Sequence, residues 1–145
     1  MVYIIVETGL TPSLLMEIII LLAHGSPEKY AKETLISLVK EFTGCLKKNK
    51  KMIYCAFLQF NRPNLEECLI PILNSKCPLS SMKIIILPVF VSHGSHTLKD
   101  VPAIIKKLKK IYKGLNIKLA LPLGNDKLLV KLLYKRYREV ASSRH

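Results

Sequence analysis

Two short stretches of this 145-residue chain carry the residue types that do chemistry, and they share a setting. His24-Gly25-Ser26-Pro27 follows the apolar run Ile18-Ile19-Ile20-Leu21-Leu22-Ala23 and precedes a helical pattern. Ser92-His93-Gly94-Ser95-His96 follows the run from Ile84 to Val91 and precedes a second, lysine-rich helical pattern. Neutral imidazole is a common ligand for borderline divalent metals and can accept a proton near neutrality. Two histidines from separate strand ends can hold a divalent ion and leave coordination positions open for a substrate. Glycine beside them lets another group approach the backbone. The helix starts that follow offer N–H donors to carboxylates or phosphate. A lone loop histidine more commonly serves loop hydrogen bonding. The pairing of His24 with His96, each near a glycine at a strand end, is what argues for function. His93 fits two roles equally, facing the same pocket or stabilising the loop.

Positioning these loops requires a scaffold, and the hydrophobic pattern describes one. The run Ile18 to Ala23 is continuously apolar and β-branched, as suits a strand buried on both faces of a parallel sheet. Ser26 reads as a helix cap and Pro27 as the first helical position. Apolar residues at Ala31, Leu35, Leu38, Val39, Phe42 and Leu46 then recur at helical spacing, up to the basic turn at residues 47–51. Met52 to Leu58 predicts a second strand, and Gln59-Phe60-Asn61-Arg62 the loop after it. Residues 63–73 predict a helix that Pro71 should kink or shorten. Residues 82–90 predict the third strand and Asp100 to Lys113 the third helix, with Gly114 as its stop. Asn116 to Leu121 predicts the fourth strand, and Asp126 to Val140 the last helix.

Four repetitions of strand, loop and helix imply a parallel sheet with right-handed crossovers. The expected fold is therefore a single-domain α/β three-layer sandwich, a four-stranded parallel sheet with helices on both faces. Its boundaries are a domain over residues 16–140, an extension at 1–15 and a tail at 141–145. Within the extension a short extra strand, a disordered arm and an upstream start artefact are open alternatives. Ligands in such folds bind beyond the carboxyl ends of the strands. The loops there contain His24, Gln59 to Arg62, Ser92 to His96, and Pro122 to Asp126.

Composition narrows the partners. Lys and Arg number 23 against 10 Asp and Glu, a formal charge of +13, so the surface attracts anions. Nucleic acid, an acidic membrane surface and a polycarboxylate ligand all fit that charge, as does a plain solvated surface. The cysteines Cys45, Cys55, Cys68 and Cys77 form no C-x-x-C pair, which removes the usual zinc-ribbon and redox signatures. Free thiols in a cytoplasmic protein are the expectation. No run reaches the roughly 20 apolar residues of a spanning helix, because Glu7 and Glu17 interrupt the two apolar stretches near the amino terminus.

Other chemistries are weaker. Strand-then-His-Gly also occurs in histidine phosphatases, but the arginine that normally precedes their phosphoryl-accepting histidine is Ala23 here. A basic nucleic-acid-binding α/β module would draw on the lysines at 47–51 and 106–113, yet few aromatics lie among them to stack bases. A non-catalytic metal-binding protein on the same scaffold is the remaining alternative.

Four segments resemble a known family. They are Leu22-Ala23-His24-Gly25-Ser26; Ala56-Phe57-Leu58-Gln59-Phe60 with Pro63; Leu87 to His96 with Asp100-Val101-Pro102; and Leu121-Pro122-Leu123-Gly124. Together they look like the small archaeal sirohydrochlorin cobaltochelatases of the class II tetrapyrrole chelatases, from about Met16 to Arg136. The third segment is highly specific, whereas His-Gly-Ser alone is weak. The resemblance implies a chelatase-like fold and insertion of Co²⁺, or Ni²⁺ or Fe²⁺, into sirohydrochlorin for cobalamin-type tetrapyrrole biosynthesis. It implies that no cofactor is permanently bound, the metal being a substrate. It also implies a homodimer. On this reading His24 is the catalytic base and a metal ligand, and His96 the second ligand. Gln59, Arg62, Val91, Ser92, His93, Gly94, Ser95 and His96 would contact the tetrapyrrole. The chain departs from its relatives in the second loop, where they often carry acidic residues and this one has Gln59 and Arg62. Arg62 is instead suited to a substrate carboxylate.

Overall fold

A computed structural model describes residues 3–6, 15–46, 51–91, 97–124 and 126–142. In chain order the elements are β1 (Tyr3–Val6), β2 (Met16–Ala23), α1 (Lys29–Cys45), β3 (Lys51–Phe57), α2 (Leu65–Leu73), β4 (Met82–Pro88), α3 (Thr97–Ile111), β5 (Ile117–Leu119) and α4 (Lys127–Ala141). The sheet order is β1-β3-β2-β4-β5. β3, β2, β4 and β5 run parallel, which is the expected four-stranded sheet. β1 adds a short antiparallel edge, pairing Tyr3 with Tyr54 and Val6 with Lys51, so part of the extension is a strand.

The continuous apolar run of β2 is explained by its central place between β3 and β4. Ile18, Ile20 and Leu22 point to one face and Ile19 and Leu21 to the other, all at 4% exposure or less. The first face is covered by α2 and α3, through Leu65, Leu69, Val101 and Leu108. The second is covered by α1, through Leu35 and Val39, with Phe42 and Leu46 at its margin. The chain steps from β2 outward to β3 and then back across to β4, and this reversal places α1 opposite α2 and α3. The carboxyl end of β2 therefore lies at the topological switch point of the sheet, the usual ligand crevice of open α/β folds.

Local sequence decides the ends. Asn64 and Glu67 form a reciprocal capping box at the start of α2, with Asn64 Oδ1 accepting from Glu67 N at 2.8 Å and Glu67 Oε2 from Asn64 N at 2.9 Å. Pro71 is tolerated because it sits on the exposed side of the last turn, two residues before α2 ends. α3 runs from Thr97 to Ile111 where Asp100 to Lys113 was expected, and Gly114, at φ 85°, lies in the turn that follows it. Asp126 caps α4 by accepting from Leu128 N at 2.8 Å. A second expectation is corrected. α1 starts at Lys29, with no side-chain cap from Glu28, and Ser26 Oγ instead accepts from Glu28 N in a turn ahead of the helix. Ser26 is drawn away because its own N–H is engaged across the sheet edge, by Asn61.

Candidate active site

The registers align the strand ends. Ala23 pairs with Phe57 and Leu22 with Pro88, so β2, β3 and β4 deliver their loops at one level. The ladder then continues past the strands. Leu58 N donates to Ala23 O at 3.0 Å, Gln59 N to His24 O at 2.9 Å, and Val89 N to Leu22 O at 2.8 Å. The fourth loop is tied to the third, with Leu123 N on Phe90 O at 3.0 Å and Gly124 N on Val91 O at 2.9 Å.

His24 is thereby fixed by its backbone and exposed through its side chain. Its Nδ1 lies 3.3 Å from Gly25 O. With Nδ1 as the donor, Nε2 carries the lone pair that a metal or a proton would take. Gly25 cannot be another residue without displacing the neighbouring loop. Its φ is +87°, and a Cβ there would sit 2.0 Å from Gln59 O. Ser26 N closes the same junction by donating to Asn61 Oδ1 at 2.8 Å. The first and second loops are thus interlocked, and Asn61, which no motif singles out, is the side chain that joins them.

Of the predicted site residues, His24 and Gln59 are brought together. Gln59 also lines an open cleft of about 400 Å³ with Asn64, Glu66, Asp100 and Ile104. Arg62 turns elsewhere, its Nη1 meeting Glu67 Oε1 at 2.6 Å on the surface. The Asn64 N–H, and after it the Arg62 guanidinium, hold the Glu67 carboxyl below its ordinary range. Val91 is exposed at the start of the third loop. Ser92, His93, Gly94, Ser95 and His96 lie outside the described residues. Phe60 stands in the second family-like segment but carried no expected role. Its ring centroid is 6.5 Å from that of His24, at an interplanar angle of 37°.

The thiols take no part at this edge. Burial pushes Cys55 up to about 11 and Cys68, with Cys55 beside it, up to about 12. Both are buried in the core, at 7% and 4% exposure, rather than presented at the loops. No group of three or more His, Cys, Asp or Glu suited to a resident metal occurs among the described residues.

Comparison with known proteins fits this geometry. A sirohydrochlorin cobaltochelatase of Methanococcus aeolicus is 36% identical over 94 residues, covering 62% of this chain and 59% of that protein. One of Sulfurisphaera tokodaii is 28% identical over 125 residues, covering 86% and 94%. Among solved structures, a cobalamin (vitamin B12) biosynthesis CbiX protein of Marinobacter aquaeolei superposes with a TM-score of 0.66 at 26% identity, covering 86% of this chain and 97% of that one. The sirohydrochlorin chelatase SirB of a Bacillus subtilis subspecies, in complex with cobalt, shares the fold with a TM-score of 0.66 at 22% identity; this chain spans 51% of its length. The CbiX family model matches residues 18–140, and the chain belongs to that family.

Proposed function

We propose that this protein is a sirohydrochlorin chelatase, a lyase-type enzyme that inserts a divalent metal into the tetrapyrrole in cobalamin-type biosynthesis. Co²⁺ is the favoured substrate metal, with Ni²⁺ and Fe²⁺ as the others. The observation that carries this reading is His24, exposed with one ring nitrogen free at the switch point of a CbiX-family fold.

Insertion exchanges the two pyrrole N–H protons for M²⁺, so one site must supply a metal donor and a proton acceptor. Neutral His24 can do each in turn, ligating the ion through Nε2 and then taking one pyrrole proton as the ion moves into the ring, while the second passes to water. His96 is proposed as the second ligand. Ser92 to His96, together with Val91 and Gln59, form the proposed macrocycle contacts. Arg62 reaches a substrate carboxylate only by sharing or releasing Glu67. The +13 charge raises the local concentration of a polycarboxylate substrate. The metal is cargo, held between delivery and release.

The catalytic unit is proposed to be residues 16–140, working in the cytoplasm as a homodimer. No described helix is long and apolar enough to cross a membrane. The support for a dimer is α4. Leu128, Leu132, Leu133, Tyr137 and Val140 are each at least 46% exposed, and no residue of α4 is buried. An uncovered apolar stripe of this kind fits a second copy. On the sheet face that α1 covers, Ile85 and Leu87 of β4 are only half-buried, which offers such a helix a seat.

The test is insertion followed in the visible spectrum, with sirohydrochlorin and each of the three metals. Conversion faster than in buffer is expected for at least one metal, with His24→Ala and His96→Ala each lowering the rate by about 100-fold or more. Rates equal to buffer with all three metals overturn the activity. Unchanged rates in both variants overturn the residue assignment.

A further inference from the structure

We infer that Phe60 is a tetrapyrrole-docking residue, its phenyl face packing against the planar macrocycle beside His24. This rests on the chelatase reading and gives a role to a residue that stood in the second family-like segment without one.

The first observation is conformational. Phe60 is the one non-glycine residue with positive φ among those described, at 61°. The left-handed region brings the Cβ of a side chain against the following backbone carbonyl oxygen, so bulky residues are rare there and are held by their surroundings. The surroundings here do hold it. Gln59 N is bonded to His24 O, Asn61 N to Gln59 O at 2.6 Å, and Asn61 Oδ1 to Ser26 N. A glycine at position 60 would meet the same backbone requirement without strain. The phenyl ring is therefore not needed for the turn.

The second observation is exposure. The ring is 67% exposed, so it does not serve the core either. It stands 6.5 Å, centroid to centroid, from the His24 imidazole, within the span of a four-pyrrole ring. A flat ligand delivered to His24 Nε2 would extend over the phenyl ring. Aromatic faces favour offset contact with other π-systems. The same edge of the sheet carries two more exposed apolar side chains, Val91 and Leu123, at 53% and 48%. Exposed apolar groups gathered at a polar rim mark ligand surfaces.

The discriminating variant is Phe60→Gly. A structural role for the ring predicts lower stability. A docking role predicts unchanged or higher stability with weaker binding. Metal-free sirohydrochlorin is titrated with the full chain and followed by its own fluorescence, alongside a urea unfolding curve. We expect Kd to rise about tenfold in Phe60→Gly with no loss of unfolding midpoint, and Phe60→Tyr to restore binding to within about twofold of the parent. Phe60→Gly that binds like the parent, or that fails only because it unfolds, overturns the role. A parent protein that binds no tetrapyrrole overturns the chelatase reading itself, and this role with it.

Discussion

α3 and α4 are both fifteen residues long, amphipathic and rich in lysine, yet they end in opposite environments. α3 drives Val101 and Leu108 to 2% exposure against the sheet, while no residue of α4 is buried. The difference is tethering. α3 is held between β4 and β5, two strands that are hydrogen-bonded neighbours, so it must return across the sheet. α4 is tied at its start, through the 123–124 hydrogen bonds to Phe90 and Val91. The same contrast separates the first two units of the fold from the fourth. β2 and β3 pair over seven residues and their loops interlock, whereas β5 is three residues long. Amphipathicity belongs to the helix, but burial belongs to the helix and whatever reaches it.

The sharpest way to break this comparison is a matched charge. Leu108→Asp places an unpaired carboxylate in the core and should cost about 4 kcal/mol or more, leaving little folded protein by circular dichroism. Leu132→Asp should leave the fold within about 0.5 kcal/mol of the parent and convert the proposed dimer to monomer in sedimentation. Equal unfolding in both variants would mean that α4 is packed like α3.

A smaller contrast lies in two glycines. Gly25→Ala meets both a positive φ and Gln59 O at 2.0 Å, so it should lose about 3 kcal/mol in urea unfolding and, with it, the positioning of His24. Gly124→Ala also has a positive φ, of 54°, but its nearest neighbour is 3.7 Å away, and a loss of about 1 kcal/mol is expected. Equal losses would show that the first two loops are not locked.

The smallest effect concerns acid stability. Glu17 sits between its register partners Lys51 and Lys83, at 3.4 and 2.7 Å. The hydrogen bond from Lys83, and after it the charges of Lys83 and Lys51, hold its carboxyl below the ordinary value despite partial burial. The unfolded chain therefore binds this proton more readily. The stabilisation is present above the unfolded glutamate pKa and is lost as pH falls through the lower folded value. Glu17→Gln should flatten the acid limb of the stability–pH curve by about 1 kcal/mol or less.

The strand–helix order, the both-faces burial of β2 and the place of His24 at a strand end were all legible from hydrophobic runs and their punctuation. So was the Gly114 turn, because local chemistry alone dictates a glycine there. The start of α1 was misplaced by two residues. The Ser26 N–H is engaged by a side chain 35 positions away, and no local capping rule contains Asn61. The pairing of Arg62 went unread for a related reason. Glu67, five residues on, was read only as part of a helix, but its carboxylate sits within reach of the guanidinium.

The sequence by itself determined the kinds of element, the family and the place of His24 at a strand end, since periodicity and short motifs are local properties of the chain. Tertiary structure decided what those elements face. It made Gly25 obligatory by passing a carbonyl where its Cβ would be, set Phe60 in a left-handed turn beside His24, paired Arg62 with Glu67, and left α4 without a cover. Each of these depends on which backbone or side chain arrives from elsewhere, and a one-dimensional pattern does not carry that distance.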